Sequence, residues 1–268
     1  MHKFPSRAGD IPVLAFATIG STNAEALARA QAGEAGPLFV VAERQSAGRG
    51  RRGRAWVSEP GNLYATLLVV DPAPAAISPQ ICFVAALSLY DAVLDACPGL
   101  APARLKLKWP NDLLLDQAKV SGILVEGVTL AGGKLAAAVG IGVNCAHHPA
   151  DTPFPASDFS AAGLTLSPAV LLARLGERWG KRAQEWNRGE GFAAIRAAWL
   201  MRASGIGGPI EVRLPDRTLA GTFEAIDEEG ALLLRKADGV REEKRAFFVD
   251  RLEGADERAV GEPHLDRA

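Results

Sequence analysis

Net charge is what this chain has least of: 30 lysines and arginines face 31 aspartates and glutamates, leaving −1 with histidine neutral. No bulk field draws the molecule to a polyanion or a membrane surface, so any basic site must be local. Cysteine is also scarce. Cys82, Cys97 and Cys145 form no Cys-x-x-Cys pair and are odd in number, which points to buried, reduced thiols in a cytoplasmic protein. No window reaches the roughly 18 apolar residues without a charge that a membrane span needs. Residues Met1 to Arg7 contain no apolar run before a cleavage site, so no signal peptide is expected. Also missing are a Gly-x4-Gly-Lys-Ser/Thr loop, which excludes a P-loop, and any Ser-His-Asp or Cys-His arrangement that would indicate a covalent enzyme intermediate. There is no internal repeat and no low-complexity tract.

What is there suffices for a buried core and a small second domain: 268 residues, 48% apolar and 23% charged. Val13 to Ile19 reads as a strand, and Thr22-Asn-Ala-Glu25 has capping-box spacing before an alanine-rich helix ending at Gly33. Leu38 to Glu43 and Asn62 to Asp71 read as strands, and Ser78-Pro79 opens an apolar helix of about five turns. Arg104 to Trp109 alternates, which places Arg104, Lys106 and Lys108 on one strand face and Leu105, Leu107 and Trp109 on the other. Lys119 to Val128 and Leu135 to Asn144 form a further antiparallel pair, joined at Ala131-Gly132-Gly133. Helices are expected from Ser167-Pro168 to Trp186 and from Phe192 to Arg202. From Ile210 to Leu252, short strands separated by Pro215-Asp216, Glu229-Gly230 and Asp238-Gly239 read as a small β-barrel, followed by a polar tail.

The densest chemistry lies in residues 44 to 56, where five arginines and three glycines share one short segment. Glycine lets backbone approach a ligand and arginine offers a bidentate fork, so the segment reads as a loop that closes over an anion. Gly48-Arg-Gly-Arg-Arg-Gly53 has the letters of a dinucleotide fingerprint, but Ala55-Trp-Val-Ser-Glu-Pro60 cannot open the helix that motif needs. Lys108 and Lys119 alone would be solvated surface. Gly122, three residues after Lys119, and Gly140-Ile-Gly142-Val-Asn144 on a neighbouring strand change that, because small residues beside polar ones let a ligand approach backbone. His147-His148 lacks a partner at metal-ligand spacing.

Ser21-Thr22-Asn23, Gln45 to Trp56, Lys108-Trp-Pro-Asn-Asp112, Lys119-Val-Ser-Gly-Ile-Leu-Val-Glu126 and Gly140 to Asn144 together resemble the biotin protein ligase family. The resemblance implies an α+β fold, a mixed β-sheet packed by helices of class II synthetase-like type over residues 1–205. A small SH3-like β-barrel would span 206–254, with a tail at 255–268. It also implies two reactions: biotin and Mg2+-ATP form biotinyl-5′-AMP, and a lysine of a biotin carboxyl carrier protein of acetyl-CoA carboxylase or a related carboxylase then takes the biotinyl group.

Carried over residue by residue, Ser21, Thr22, Asn23, Gln45, Gly48, Arg49, Gly50, Arg51, Lys119 and Gly122 would bind biotin, with Lys119, Arg49 and Arg51 catalytic. Arg52, Arg54, Trp56, Lys108, Asn111 and Asn144 would serve ATP, and Asp112 either Mg2+ or the acceptor lysine. The arginine loop is expected to be mobile when empty and ordered over the intermediate. Some family members carry an N-terminal winged helix-turn-helix. Here the first motif begins at Ser21, so the expectation is a ligase without a DNA-binding domain, a monomer or homodimer with no nucleic-acid or membrane partner. Lipoate or octanoate transfer is the sister activity, and a nucleic-acid-binding module using the arginine loop is the alternative from another class.

Overall fold

The computed structural model describes residues 4–213, 217–236, 238–244 and 249–253. Its elements run β1 (Arg7–Ala8), β2 (Ile11–Ile19), α1 (Thr22–Gln31), β3 (Leu38–Gln45), β4 (Leu63–Val70), α2 (Ile81–Ala96), β5 (Leu105–Lys108), β6 (Asp112–Leu115), β7 (Ala118–Thr129) and β8 (Leu135–Val143). They continue through α3 (Pro168–Trp186), α4 (Phe192–Arg202), β9 (Pro209–Arg213), β10 (Thr218–Ile226), β11 (Leu232–Arg235), β12 (Arg241–Lys244) and β13 (Val249–Glu253). The large sheet has the order β1-β2-β3-β4-β8-β7-β6-β5, with β13 also pairing β7. Among the described strands, only β2 with β3 and β13 with β7 pair in parallel, and α1 is the crossover that the first of these requires.

Strand β3 reads Leu-Phe-Val-Val-Ala without polar alternation because both faces of the sheet are covered. Phe39 and Val41 pack in the core that holds α2 and α3, whereas Leu38 and Val40 pack with Ala26 and Ala30 of α1. The helical layer is thick on the first side. Phe83 of α2 meets Phe192 and Trp199 of α4 edge-on, at 5.5 Å between centroids in both pairs, and Trp186 donates to Gln80 Oε1 at 2.9 Å. The stretch Ser78–Ala96 is long and apolar enough to cross a membrane, yet 72% of it is buried inside the protein; it is the core helix.

Three expectations change. The helix start is capped by Ser21, whose side chain accepts from the Ala24 N–H, and Thr22 is already the first helical residue. Glu25 turns to Arg29 one turn on instead of reaching back to a cap. Arg104 lies in a 3₁₀ turn ahead of β5 and pairs with Asp116. The third change concerns the C-terminal part, where β9 to β12 form an antiparallel four-stranded sheet of order β12-β11-β10-β9, the small SH3-like unit. β13, however, leaves that unit and joins β7, with Val249 opposite Val125 and Leu252 opposite Gly127. The turn expected at Pro215-Asp216 lies outside the described residues. Where the small sheet meets the helices, Gly230 at φ +97° sits so close that a Cβ would meet the Phe83 ring at 3.0 Å.

Candidate active site

Register places the floor of the site. Asp112 pairs with Gly122, Gly122 with Gly142, and Gly142 with Tyr64, so one row crosses β6, β7, β8 and β4. The next row on the same face is Val40, Thr66, Gly140 and Leu124. The body of α1 covers the far part of this face, and its N-terminus ends above the second row. Two adjacent glycines leave the first row without side chains on its central strands. The indole of Trp56 fills that space: a Cβ on Gly142 would lie 2.6 Å from the ring, and one on Gly122 would lie 3.2 Å from both Trp56 and Lys119 Nζ.

Lys119 stands at the edge of this floor. Its ammonium is 2.5 Å from Asp112 Oδ1 and 5.6 Å from the Trp56 ring centroid. Both partners are partly exposed, at 30% and 20% of their side chains. The lysine is therefore held by a carboxylate and an aromatic face while remaining accessible. The turn between β5 and β6 brings Asn111 alongside, its amide donating to the Ile123 carbonyl at 2.7 Å.

The arginine segment folds as a small hairpin over the floor. Gly50 N–H donates to the Arg54 carbonyl at 2.7 Å and Trp56 N–H to the Gly48 carbonyl at 2.9 Å. Gly48 is required there, since a Cβ would lie 2.7 Å from the Trp56 carbonyl oxygen. Arg52, at φ +59°, forms the bend with Gly53 at φ +68°. Two side chains tie the hairpin down: Arg49 Nη2 reaches Glu126 Oε1 at 3.1 Å, and Arg51 Nη1 reaches Asn111 Oδ1 at 3.3 Å. Arg52 and Arg54 remain exposed on the hairpin.

Under the hairpin lies a buried polar chain. Thr22 N–H donates to Gln45 Oε1 at 2.9 Å. Gln45 Nε2 donates to Ser58 Oγ at 3.1 Å, and Ser58 donates to the Trp56 carbonyl at 2.9 Å. Thr66 Oγ1 is 2.8 Å from Thr22 Oγ1 and 2.6 Å from Asn23 Oδ1, while Asn23 Nδ2 donates to Glu126 Oε2 at 2.8 Å. Gly140 makes room for the Asn23 amide, which a Cβ there would strike.

A second wall is residues 145–160. Asn62 Oδ1 accepts from the backbone N–H groups of Cys145, Ala146 and His147. Asn144 spends its amide on the Ser157 carbonyl at 3.0 Å. Lys119 N–H donates to Pro155 at 2.8 Å, and the Ser157 N–H returns a bond to Lys119 at 2.9 Å. This brings Phe154 under Lys108, whose ammonium lies 5.1 Å from the ring centroid. His148 pairs with Asp158 at 2.6 Å. Beneath the floor, Cys82 is fully buried, and burial pushes its thiol up to about 12 against the opposing pull of the Arg51 charge. The thiol is neutral at physiological pH and inert as a nucleophile.

The structure thus brings Ser21, Thr22, Asn23, Gln45, Gly48, Arg49, Arg51, Trp56, Asn111, Asp112, Lys119 and Gly122 to one place. Thr66, Ser58, Asn62 and Glu126 were not singled out by sequence reasoning. The available signal was a lone polar residue inside an otherwise apolar buried strand, as in Leu-Tyr-Ala-Thr66-Leu-Leu and Ile-Leu-Val-Glu126-Gly-Val.

Residues 16–144 match the Biotin/lipoate A/B protein ligase family, and residues 205–247 match the Biotin protein ligase C terminal domain. The class is that of ligases acting on proteins with biotin or lipoate. A biotin–[acetyl-CoA-carboxylase] ligase of Paracoccus denitrificans is 46% identical over 84% of this chain and 94% of its own. A biotin protein ligase from Aquifex aeolicus, in complex with biotin and ATP, superposes with a TM-score of 0.71 at 25% identity, covering 86% of this chain and 94% of that one. The Leishmania major biotin protein ligase in complex with biotinyl-5-AMP gives 0.64 at 27% identity over 87% and 98%. The chain belongs to the biotin protein ligase family.

Proposed function

We propose that this chain activates biotin with ATP to biotinyl-5′-AMP and transfers the biotinyl group to a lysine of the biotin carboxyl carrier protein of acetyl-CoA carboxylase. The observation that carries the reading is the accessible Lys119 ammonium, paired with Asp112 at 2.5 Å beside a two-glycine floor and beneath a hairpin rich in arginine. In the first step a biotin carboxylate oxygen bonds to the α-phosphorus of ATP and pyrophosphate leaves. Two anions must meet, so fixed positive charge is the main requirement. Lys119 and Arg51 supply it, with Arg49, Arg52 and Arg54 on the hairpin and Lys108 across the cleft. In the second step the neutral amine of the acceptor lysine attacks the acyl carbon, AMP leaves with the bonding pair, and the amine's extra proton is released.

Ser21, Thr22, Asn23 and Gln45, at the N-terminus of α1 and the end of β3, serve the ureido ring, and Gly48, Gly50 and Gly122 let backbone approach the ligand. Trp56, Lys108, Asn111 and Asn144 serve the nucleotide, the last by holding the 145–160 wall. No group of three or more His, Cys, Asp or Glu side chains stands together among the described residues, and Asp112 is engaged by Lys119. Mg2+ would enter with ATP and neutralise phosphate charge, and Asp112, beside Lys119, would serve either it or the acceptor lysine. A neutral overall charge and reduced thiols favour a cytoplasmic protein without a nucleic-acid partner.

Mass spectrometry of a purified carrier domain, incubated with this protein, Mg-ATP and either biotin or lipoate, tests the assignment. An ATP-dependent, biotin-sized gain on its target lysine is expected. Gain only with lipoate would move the activity to the sister reaction.

A further inference from the structure

The chain's exit from β8 is shaped by one side chain of another segment. The β4–β8 ladder ends at Leu63 opposite Val143, and there Asn62, 5% exposed, takes over from the backbone. Its Oδ1 accepts from the N–H groups of Cys145, Ala146 and His147 at 2.8, 2.9 and 3.3 Å. Its Nδ2 donates to the His147 carbonyl at 2.8 Å. Three successive N–H groups converging on one point form a cradle of the kind that receives an anion; here a neutral amide oxygen fills it. An amide can hold both sides of the turn because it carries an acceptor oxygen and a separate donor nitrogen, whereas a carboxylate only accepts. Gly61 clears the same junction: at φ +113° it lies so close to the His147 ring that a Cβ would meet Cε1 at 2.9 Å.

We propose that Asn62 is a positioning residue for the nucleotide: by turning the chain out of β8 it sets the 145–160 wall, and through that wall the affinity for ATP. The proposal rests on the ligase reading and adds a residue to its ATP side. The outer stretch of the wall is tied to the site at Lys119, whose N–H donates to Pro155 and whose carbonyl accepts from Ser157, and at Asn144, whose amide donates to Ser157. Phe154 lies on the same stretch, under the Lys108 ammonium. The inner stretch, 145–147, has all three of its N–H groups on Asn62, so a shift there moves Asn144 and draws Phe154 away from Lys108. The Lys119 ammonium is held separately, by Asp112, and Thr22 and Gln45 are bonded to Thr66 and Ser58. The chemical step and the biotin side are therefore insulated from the wall.

The test is ATP–pyrophosphate exchange with biotin, read for the parent, Asn62→Asp and Asn62→Ala. The Asp variant keeps an acceptor for the three N–H groups but turns a second carboxylate oxygen, in place of a donor, toward the His147 carbonyl. It should raise KM for ATP roughly 5- to 10-fold, with kcat and KM for biotin within about twofold of the parent. Asn62→Ala strands the three donors as well and should raise KM for ATP by about tenfold or more, with a lower melting temperature. A residue that only stabilises the fold would lower the melting temperature and leave both KM values in place. Parental KM for ATP in the variants, or KM for biotin and ATP raised together, overturns the proposal. If the alanine variant does not fold, the isosteric Asp variant decides alone, and its own failure to fold would make Asn62 a requirement of the whole fold and overturn the proposal too. A parent that exchanges no pyrophosphate with biotin overturns the ligase reading and this one with it.

Discussion

Arginine meets carboxylate in the helical layer and again in the hairpin over the floor, but with different geometry. In the helical layer Arg178 grips both oxygens of Asp95, at 2.5 and 2.6 Å, and Arg182 places two nitrogens on Asp91, at 2.9 and 2.7 Å. Arg202 joins the same Asp91 at 3.6 Å. These contacts tie α3 and α4 to α2 across sequence separations that only a fixed fold can sustain. In the hairpin, Arg49 engages both oxygens of Glu126 through the single nitrogen Nη2, at 3.1 and 3.4 Å. A fork fixed by two bonds is part of the scaffold, whereas a guanidinium held at one tip can pivot about that contact. One residue type therefore holds helices in one region and is poised to receive anions in the other.

Four substitutions sharpen that contrast. The largest effect is expected for Lys119→Ala, which should lower the rate of pyrophosphate exchange by about 10² or more, as loss of one transition-state donor does, while the melting temperature changes little. Near-parental exchange would remove Lys119 from the chemistry. Asp91→Ala strikes the scaffold pair and leaves two arginines without their shared counter-ion. Denaturant titration should show a loss of about 2 kcal/mol, with KM values for biotin and ATP retained; a change in KM without loss of stability would break the distinction between the regions.

Arg51→Gly should leave stability close to the parent and let the adenylate escape. Biotin appearing on unrelated proteins in a mixture, at roughly tenfold the parental level, is the expected readout. Equal retention of the intermediate would assign the seal elsewhere. The smallest effect belongs to Asp95→Asn. Arg178's hydrogen bonds hold the Asp95 carboxyl below the ordinary carboxylate range. A depressed folded-state value contributes stability above the unfolded value of about 3.9, and that contribution is lost as pH falls through the folded value. The variant should be less stable than the parent at pH 7 by under about 1 kcal/mol, with the gap closing in strong acid. A gap constant with pH would show that the ion pair is not its source.

The site was legible in the sequence wherever its chemistry is contiguous. Trp56, Lys119, Gly122 and Gly142 lie in short runs whose composition makes no sense as core or as surface, and register then brings the runs together. Thr66 and Asn62 were not legible, because a single polar residue in an apolar strand reveals its role only when its partners from other elements are known. The helix start was ambiguous for a local reason: Ser21, Thr22 and Asn23 are all good caps, and only the backbone path decides which one lies outside the helix. The return of β13 to β7 was hidden because its partner lies more than a hundred residues earlier, and strand pairing leaves no mark on the strand's own sequence. Continuous apolar runs, alternation and turn signals did give every other strand of the large sheet beyond the two-residue β1 and short β6.

The paired glycines of β7 and β8 also constrain how this protein can change. Whatever lies on that floor in place of the Trp56 indole meets peptide groups, and those are common to every residue type. A point mutation there can only add bulk, at 2.6 Å from a ring that already fills the space. Drift toward a new acid must therefore come through the hairpin and the α1 N-terminus, where side chains differ, while the floor acts as a fixed gauge of thickness against which each candidate ligand is measured.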